Sequence, residues 1–437
     1  MKDVIIIGAG PGGYETALRA AKQGLSVLLI EKDKLGGTCL QRGCIPTKAY
    51  YQSAAVLRQL KQQDDYGISG NFTFRFENTY RRKEKIVADL TQGIAFLLKK
   101  HNVELIYGEA KLVSANEVAV GDEVYRGNNI IIATGSIPAV FPDWNVSAAI
   151  TSDELLAMKE VPRKLAIIGG GVVGVEFASI FNAFGSEVEI FELAETILPM
   201  FDKEISRRLQ SYLKTQGITI HTATKVLGLE EKGKIYYRTG GEDKMSVADR
   251  ILVSVGRVPN VSGLNLEAAG VKYDRRGIRV NSRFQTNVKN IYAIGDVTGK
   301  MMLAHAAAYS GYHAVGHILG EKSRINFGIM PSCVFTFPEV AMVGLTESEC
   351  ARYEYRIHKA LFRANGKALT MNDADGFIKI ITVNNKIKGV HVIGPHASDL
   401  IHEAVIAMNG NITANRFAEC IHAHPTLGEI YLQALEQ

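Results

Sequence analysis

Two segments of the chain, residues 3–15 and 164–176, repeat one pattern at a fixed offset of 161 residues. In each, an apolar run leads into three glycines, which are Gly8, Gly10 and Gly13 in the first copy and Gly169, Gly171 and Gly174 in the second. Each copy continues through a helical stretch and a second apolar run to an acid, Glu31 or Glu192, that lies 18 residues beyond the third glycine. The repeat predicts two units of strand, glycine turn, helix, strand and acid.

This pattern has a specific use in dinucleotide binding. The first glycine permits a tight turn, the second lets the backbone approach a pyrophosphate, and the third lets the helix pack on the strand, while the helix N-terminus stabilises the phosphate charge. The acid after the second strand accepts hydrogen bonds from an adenosine ribose. One copy would be weak evidence, because glycine turns also serve packing. Two copies with the acid in register predict two dinucleotide sites.

Length and composition limit the remaining possibilities. A chain of 437 residues is too long for one hydrophobic core and predicts roughly two to four domains. Its net charge of +5 is spread along the chain, which argues against a nucleic-acid or membrane-binding surface. Neither a signal peptide nor an apolar run of ~18 residues occurs, so we expect a soluble cytoplasmic protein. Five cysteines cannot form a disulfide scaffold in a chain of this length.

Further motifs lie outside the repeat. They are GGTCLQRGCIPTKA at 36–49, ATGS at 133–136, IYAIGDVTG at 291–299 and HAHPTLGE at 422–429. With the paired glycine patterns they resemble the pyridine nucleotide-disulfide oxidoreductases, and within that family the dihydrolipoyl dehydrogenases, over about residues 3–432. The resemblance implies an α/β fold with two dinucleotide-binding, Rossmann-like domains and a C-terminal α+β dimerisation domain. The implied boundaries are 1–145 for the first part of an FAD-binding domain, 146–262 for an NAD-binding domain, 263–326 for the second part of the FAD-binding and central region, and 327–437 for the dimerisation domain.

The resemblance also implies the cofactors, with FAD on the first unit and NAD on the second. FAD is expected to contact Gly8, Gly10, Gly13, Glu31, Lys48, Ala110, Thr134, Gly135, Ser136, Asp296, Met302, Leu303, Ala304 and His305, with Asp296 on the ribityl chain. NAD is expected to contact Gly169, Gly171, Gly174, Glu176, Glu192, Val226 and Gly256. Taken alone, the Gly-Asp pair of IYAIGDVTG is also ordinary turn chemistry.

The cysteines Cys39 and Cys44 are implied to form the redox disulfide, in which Cys44 faces the flavin and Cys39 exchanges with substrate. Five residues of regular helix rise ~7.5 Å, which exceeds the ~4.4–6.8 Å usual between disulfide-bonded Cα atoms. The pair therefore predicts an irregular turn, which Gly43 permits, and then a helix with Pro46 in its first turn. A helix N-terminus lowers the pKa of a thiol. A metal site is the alternative, but zinc sites rarely use this spacing, so we predict no metal.

Thiol exchange needs a base, because protonated thiols attack poorly. His424 matches the family's HPTLGE pattern, and Glu429 can orient its imidazole and favour its charged form. A lone His-Pro would otherwise indicate a loop histidine. Lys48 and Glu176 are implied to pair beside the nicotinamide, where a cation near the flavin favours its reduced form. Without the resemblance, both would be read as surface charges.

The resemblance therefore implies oxidation of protein-bound dihydrolipoamide by NAD+ in a homodimer, with each site taking its histidine from the partner chain. The lipoyl group must come from another protein, belonging to a 2-oxoacid dehydrogenase complex or the glycine cleavage system. One alternative is a sister reductase that uses NAD(P)H to reduce another disulfide or a metal substrate. A second is a redox-silent flavin-binding scaffold, against which the intact cysteine pair and the His-Glu pair argue.

Overall fold

The computed structural model describes residues 1–141, 144 and 146–436, which form parallel sheets with helices and a separate antiparallel sheet. The strands are β1 (Lys2–Ile7), β2 (Val27–Glu31), β3 (Glu104–Tyr107), β4 (Ala110–Leu112), β5 (Glu117–Val120), β6 (Glu123–Ile132), β7 (Ser136–Pro138), β8 (Ala149–Ile150), β9 (Lys164–Ile168), β10 (Glu187–Phe191), β11 (Thr219–His221), β12 (Lys225–Glu230), β13 (Lys234–Thr239), β14 (Glu242–Val247), β15 (Arg250–Val253), β16 (Arg257–Pro259), β17 (Tyr273–Asp274), β18 (Gly277–Ile278), β19 (Ile291–Ala293), β20 (Ser332–Val334), β21 (Glu339–Gly344), β22 (Arg356–Leu361), β23 (Phe377–Val383) and β24 (Lys386–Gly394). The helices are α1 (Pro11–Lys22), α2 (Gly37–Arg42), α3 (Cys44–Leu60), α4 (Phe76–Lys100), α5 (Ser152–Ala157), α6 (Val172–Phe184), α7 (Lys203–Thr215), α8 (Ala304–Ile318), α9 (Glu347–Cys350), α10 (Gly366–Thr370), α11 (Ala397–Asn409), α12 (Ala414–Ala418) and α13 (Glu429–Leu435).

The first repeat folds as strand, helix and strand in β1, α1 and β2. Its strands are apolar on both faces because they are buried on both: Val4, Ile5 and Ile6 are fully buried, and so are Leu28 and Leu29. The parallel strands run in the order β3–β2–β1–β6–β19, and β6 also carries the antiparallel strands β5 and β4. Since β19 comes from beyond the second unit, the chain returns to complete the first sheet.

The second repeat folds in the same way in β9, α6 and β10. Its parallel sheet has the order β11–β10–β9–β15–β8, so β9 and β10 take the positions that β1 and β2 take in the first sheet. A three-stranded antiparallel meander, β12–β13–β14, lies between β11 and β15 along the chain. The predicted pair of Rossmann-like units is therefore confirmed.

The C-terminal part of the chain is an antiparallel sheet in the order β20–β21–β24–β23–β22. Helices α11 and α13 contact this sheet and bury a core that includes Ile378, Val390, Ile401 and Tyr431. This is the predicted α+β layer. The four domain boundaries given above stay predictions, and residue 145, at one of them, lies outside the described residues. In the part of the chain that the structure covers, every helix is too short or too polar to cross a membrane.

Candidate active site

The first and third glycines of each repeat are required by the protein's own packing. Gly8 has a φ of +99°, and a Cβ there would lie 2.5 Å from the Ala133 carbonyl oxygen. A Cβ on Gly13 would lie 1.7 Å from the carbonyl oxygen of Gly8. The second unit repeats this geometry, with a φ of +107° at Gly169 and 2.0 Å between a Cβ on Gly174 and the Gly169 carbonyl oxygen. Any side chain at these positions would separate helix from strand.

The second glycine of each repeat has no such packing requirement in the part of the chain that the structure describes. Gly10 and Gly171 have φ values of −69° and −74°, which any residue can adopt. Among the described residues, a Cβ on Gly10 would meet no atom closer than 3.9 Å, and one on Gly171 would meet no atom within 4 Å. Both residues begin a helix whose N-terminus has no side-chain cap. Open space beside free N–H groups fits a phosphate group, so both cradles fit a dinucleotide pyrophosphate.

The two acids are held alike. Glu31 accepts a hydrogen bond from the Ala9 N–H at 2.6 Å. Glu192 accepts one from the Gly170 N–H at 2.6 Å, and its second oxygen accepts from the Ala194 N–H, also at 2.6 Å. Backbone donors thus fix each carboxylate at the rim of its glycine turn. Its remaining lone pairs are available to ribose hydroxyls.

The other predicted FAD contacts gather around Asp296. This residue lies in a short 3₁₀ turn, where it accepts a hydrogen bond from the Ser136 hydroxyl at 2.6 Å, and burial raises the pKa of its carboxyl. Ser136 in turn accepts from Arg257. Thr134 donates a hydrogen bond to the Asn260 carbonyl, and Gly135 follows it in the chain. Met302 and Leu303 directly precede α8, and Ala304 and His305 lie in the first turn of that helix. Ala110 lies in β4, with its side chain in the core.

On the second unit, Val226 lies in β12 and Gly256 directly precedes β16. Gly256 has a φ of +127°, and a Cβ on it would meet no atom of residues 1–141, 144 or 146–436 within 4 Å. Together with Gly171 and Glu192 it belongs to the loops that follow the parallel strands of the second sheet, where ligands bind in doubly wound folds.

The dithiol segment lies against the first glycine turn. The Gly36 N–H donates to the Ala9 carbonyl at 2.9 Å, and a Cβ on Gly37 would lie 2.6 Å from the Gly10 Cα. Cys39 lies in α2 and Cys44 is the first residue of α3, with a sharp break at Gly43 between the two helices. The predicted irregular turn is therefore this single residue, and Pro46 falls in the first turn of α3.

The structure holds Cys39 and Cys44 as half-buried thiols. A hydrogen bond from Cys39, aided by the positive charge of Lys48, outweighs burial and lowers the pKa of the Cys44 thiol to about 7. The same hydrogen bond, together with burial, raises the pKa of Cys39. The two shifts have opposite directions, which favours Cys44 over Cys39 as the more acidic thiol of the pair.

Lys48 and Glu176 are brought together as predicted. The Lys48 ammonium lies 2.8 Å and 3.0 Å from the two oxygens of Glu176, whose side chain is 6% exposed. Phe335 completes this arrangement. Its N–H donates to Glu176 at 2.9 Å, and its ring lies 4.5 Å from the Lys48 Nζ. Sequence reasoning missed Phe335, because a backbone donor and a ring 159 residues from Glu176 leave no local signal.

His424 and Glu429 are also in contact. The His424 Nδ1 lies 2.9 Å from Glu429 Oε1, and the other Glu429 oxygen accepts from the Thr426 N–H at 2.8 Å. These hydrogen bonds, the one from Thr426 first, lower the pKa of Glu429. The imidazole is 78% exposed. Within residues 1–141, 144 and 146–436, Glu429 is its one hydrogen-bond partner, and no hydrogen bond joins His424 to Cys39.

Comparison with known proteins places this geometry in a family. Residues 2–311 match the family described as "Pyridine nucleotide-disulphide oxidoreductase", and residues 330–435 match its dimerisation domain. The chain belongs to the pyridine nucleotide-disulphide oxidoreductases. The predicted family, fold class and enzyme class, with FAD and NAD(H) as the cofactors that the family implies, are thereby confirmed. The dimerisation domain indicates a homodimer.

Individual family members are similar over nearly the whole chain. A Bacillus subtilis protein named dihydrolipoyl dehydrogenase is 42% identical, over 99% of this chain and 96% of its own. A Glycine max protein named leghemoglobin reductase is 40% identical, over 99% of this chain and 86% of its own. Among solved structures, LpdA from Mycobacterium tuberculosis matches with a TM-score of 0.92 and 26% identity, covering 99% of this chain and 98% of that one. The HOCl-induced flavoprotein disulfide reductase RclA from Escherichia coli matches with a TM-score of 0.88 and 28% identity, covering 99% of both.

Proposed function

We propose that this enzyme oxidises protein-bound dihydrolipoamide to lipoamide and transfers the electrons to NAD+. The observation that carries the proposal is the Cys39–Cys44 pair, whose Cys44 thiol has a pKa lowered to about 7, beside the ion pair between half-buried Lys48 and buried Glu176. Relatives that are 40–42% identical and named dihydrolipoyl dehydrogenase support lipoamide as the substrate. The lipoylated partner belongs to a 2-oxoacid dehydrogenase complex or the glycine cleavage system, and a working dithiol suits the reducing cytoplasm.

The proposed reaction begins with a disulfide between Cys39 and Cys44. One substrate thiol attacks the Cys39 sulfur, the disulfide breaks, and Cys44 leaves as a thiolate stabilised by Lys48. His424 takes the proton of the attacking thiol, and Glu429 stabilises the imidazolium. The second substrate thiol then attacks the substrate sulfur bonded to Cys39, that bond breaks, and the proton of the second thiol ends on the departing Cys39. Lipoamide leaves with its disulfide formed, and the enzyme keeps two electrons.

Bound FAD and NAD+ supply the electron chemistry, in which the two electrons end as a hydride on NAD+. The residues proposed to hold FAD are the first glycine turn, Glu31 and Asp296. Those proposed to hold NAD are the second glycine turn, Glu192 and Gly256. Glu176 holds Lys48 at the point where α3 of the first unit meets α6 of the second.

An activity assay tests the proposal. The purified protein should reduce NAD+ with dihydrolipoamide far faster than it oxidises NADPH with glutathione disulfide. Faster turnover of NADPH with glutathione disulfide would favour the sister reductase. The similarity to RclA, a flavoprotein disulfide reductase, supports testing that alternative. A protein inactive in both assays, without a long-wavelength absorbance band after anaerobic two-electron reduction, would fit the redox-silent scaffold.

Mixed dimers test where each site obtains its base. Because the described residues form no hydrogen bond between His424 and Cys39, and residues 330–435 match a dimerisation domain, we expect each site to take His424 from the partner chain. A hybrid of Cys44→Ser and His424→Gln subunits should then regain one working site out of two. Activity is measured after subunit exchange verified by differential tagging. An inactive hybrid would place the whole site within one chain.

The preference of the enzyme for NAD+ over NADP+ tests whether Glu192 binds the adenosine ribose. Its carboxylate suits a ribose 2′-hydroxyl but repels a 2′-phosphate, and such like-charge contact costs several kcal/mol. We expect kcat/KM to favour NAD+ over NADP+ by at least roughly a hundredfold, about 2.7 kcal/mol. Glu192→Ser combined with Leu193→Arg should narrow the ratio, whereas Glu195→Gln, at an exposed carboxylate of the same loop, should leave it unchanged. A wild-type ratio near one would contradict ribose recognition by Glu192.

A further inference from the structure

A buried lysine lies outside the site described so far. Lys379, in β23, is 0% exposed where the C-terminal sheet meets the second unit. Its Nζ lies 2.9 Å from Asp202, 2.5 Å from Glu347 and 3.4 Å from Glu204. Burial opposes the ammonium charge, but hydrogen bonds to Glu347 and Asp202 outweigh it and raise the pKa of Lys379. The lysine is therefore charged and fills the centre of an acidic cluster.

Asp202 connects this lysine to the second unit. It is the N-cap of α7, where its Oδ1 accepts from the Glu204 N–H at 3.1 Å as well as from Lys379. Its Oδ2 accepts from the Glu347 N–H at 3.1 Å. Asp202 is 2% exposed. One buried carboxylate thus ties the start of α7 to the C-terminal sheet, and it depends on Lys379 for its countercharge.

The segment between Glu192 and α7 is held by a continuous series of hydrogen bonds. In the first turn of α7, the Ser206 hydroxyl donates to the Leu198 carbonyl at 3.0 Å. The Leu198 N–H donates to the Gly170 carbonyl at 2.9 Å, and the Gly170 N–H donates to Glu192 at 2.6 Å. Leu198 has a φ of +47°, a strained value for leucine that persists only when its surroundings hold it. The position of α7 therefore bears on the geometry of Glu192.

We propose that Lys379 is a positioning residue for NAD: by holding Asp202 and the start of α7, it fixes segment 192–202 and so orients Glu192 and the Gly170 turn. This inference rests on the proposed NAD site. Lys379 itself contacts neither thiol in the described part of the chain, so its effect should be confined to the nucleotide. The effect of Lys379 on the glycine turn would pass through the hydrogen bonds that join Asp202, Ser206, Leu198 and Gly170.

The test is Lys379→Met in the FAD-loaded homodimer. We expect the dissociation constant of NAD+, measured by calorimetry on the oxidised enzyme, to rise about 3- to 30-fold, with a matching rise in the KM for NAD+. Anaerobic reduction by dihydrolipoamide should change by less than about twofold, because the dithiol is untouched. A merely structural role would lower the melting temperature and flavin content without this nucleotide-specific effect.

Two further variants secure the interpretation. Lys83→Met removes another buried lysine, 4% exposed, whose Nζ bonds to the Leu156 carbonyl and Glu84, and it should not alter NAD+ binding. Ser206→Ala breaks the same series of hydrogen bonds without leaving a buried charge, and it should weaken NAD+ binding even if Lys379→Met fails to assemble. If Lys379→Met folds and binds NAD+ as tightly as the wild-type protein, the inference is overturned. If Lys379→Met does not fold, unchanged NAD+ binding by Ser206→Ala overturns it. A wild-type protein that binds no NAD+ would instead reject the proposed function, and the inference with it.

Discussion

Replacing Cys44 with serine should leave FAD bound and reduce lipoamide turnover by roughly 10³-fold or more, as when one member of an interdependent catalytic group is removed. A serine hydroxyl can neither form the disulfide with Cys39 nor leave as a stabilised thiolate. The FAD contacts proposed for the glycine turn and Asp296 do not involve the Cys44 sulfur. Steady-state turnover and the flavin-to-protein absorbance ratio measure the two effects separately.

The matched control is Cys333→Ser. Cys333 is also half-buried, but it lies in β20, and burial raises the pKa of its thiol to about 12. A thiol that stays protonated takes no part in exchange, so this variant should keep nearly full turnover. The long-wavelength absorbance band of the two-electron-reduced protein should vanish in Cys44→Ser and persist in Cys333→Ser. Normal turnover by Cys44→Ser would exclude the disulfide mechanism.

Changing His424 to glutamine should slow reduction by dihydrolipoamide by roughly 10²–10⁴-fold, the usual contribution of a general base. Glutamine can still hydrogen-bond to Glu429, but it cannot take a proton from the attacking thiol. Rapid mixing of the oxidised enzyme with dihydrolipoamide measures this half-reaction directly. Oxidation of NADH by an artificial acceptor, which bypasses the dithiol, should be much less affected.

A nearby histidine provides the comparison. His422 bonds to Glu403 through Nε2 and to the Cys420 carbonyl through Nδ1, so both ring nitrogens are already engaged. His422→Gln should therefore have a small effect on reduction by dihydrolipoamide. Equal losses in both half-reactions of the His424 variant would indicate a misfolded or flavin-poor protein and not the loss of a base.

The duplicated fold could be predicted because its determinants are local. The first and third glycines follow from contacts within one turn, such as the 1.7 Å that would separate a Cβ on Gly13 from the Gly8 carbonyl oxygen. The second glycines carry a different signal, since no packing contact among the described residues requires a glycine at Gly10 or Gly171. A residue conserved between the two copies without a packing reason indicates a ligand.

Other parts of the site could not be predicted, because they depend on packing between distant elements. The Phe335 N–H reaches Glu176 only after the C-terminal sheet has docked. Lys379 resembles any strand lysine in the sequence, and its burial against Asp202 becomes visible only in three dimensions. The role of His424 is predicted from the resemblance alone, because its exposed imidazole contacts only Glu429 among the hydrogen-bond partners in the described residues.

Glu176 has a consequence for building chimeric enzymes from this family. Its carboxylate lies on α6 of the second unit, yet its donors are Lys48 of the first unit and the Phe335 N–H of the C-terminal region. A nucleotide-binding unit transplanted from a relative would fit only if it brought a glutamate to this position. Without that glutamate, Lys48 would lose its countercharge, and the second unit would lose a side chain that bonds to both the first unit and the C-terminal region. Recombination breakpoints should therefore be chosen by this contact and not by the domain boundaries alone.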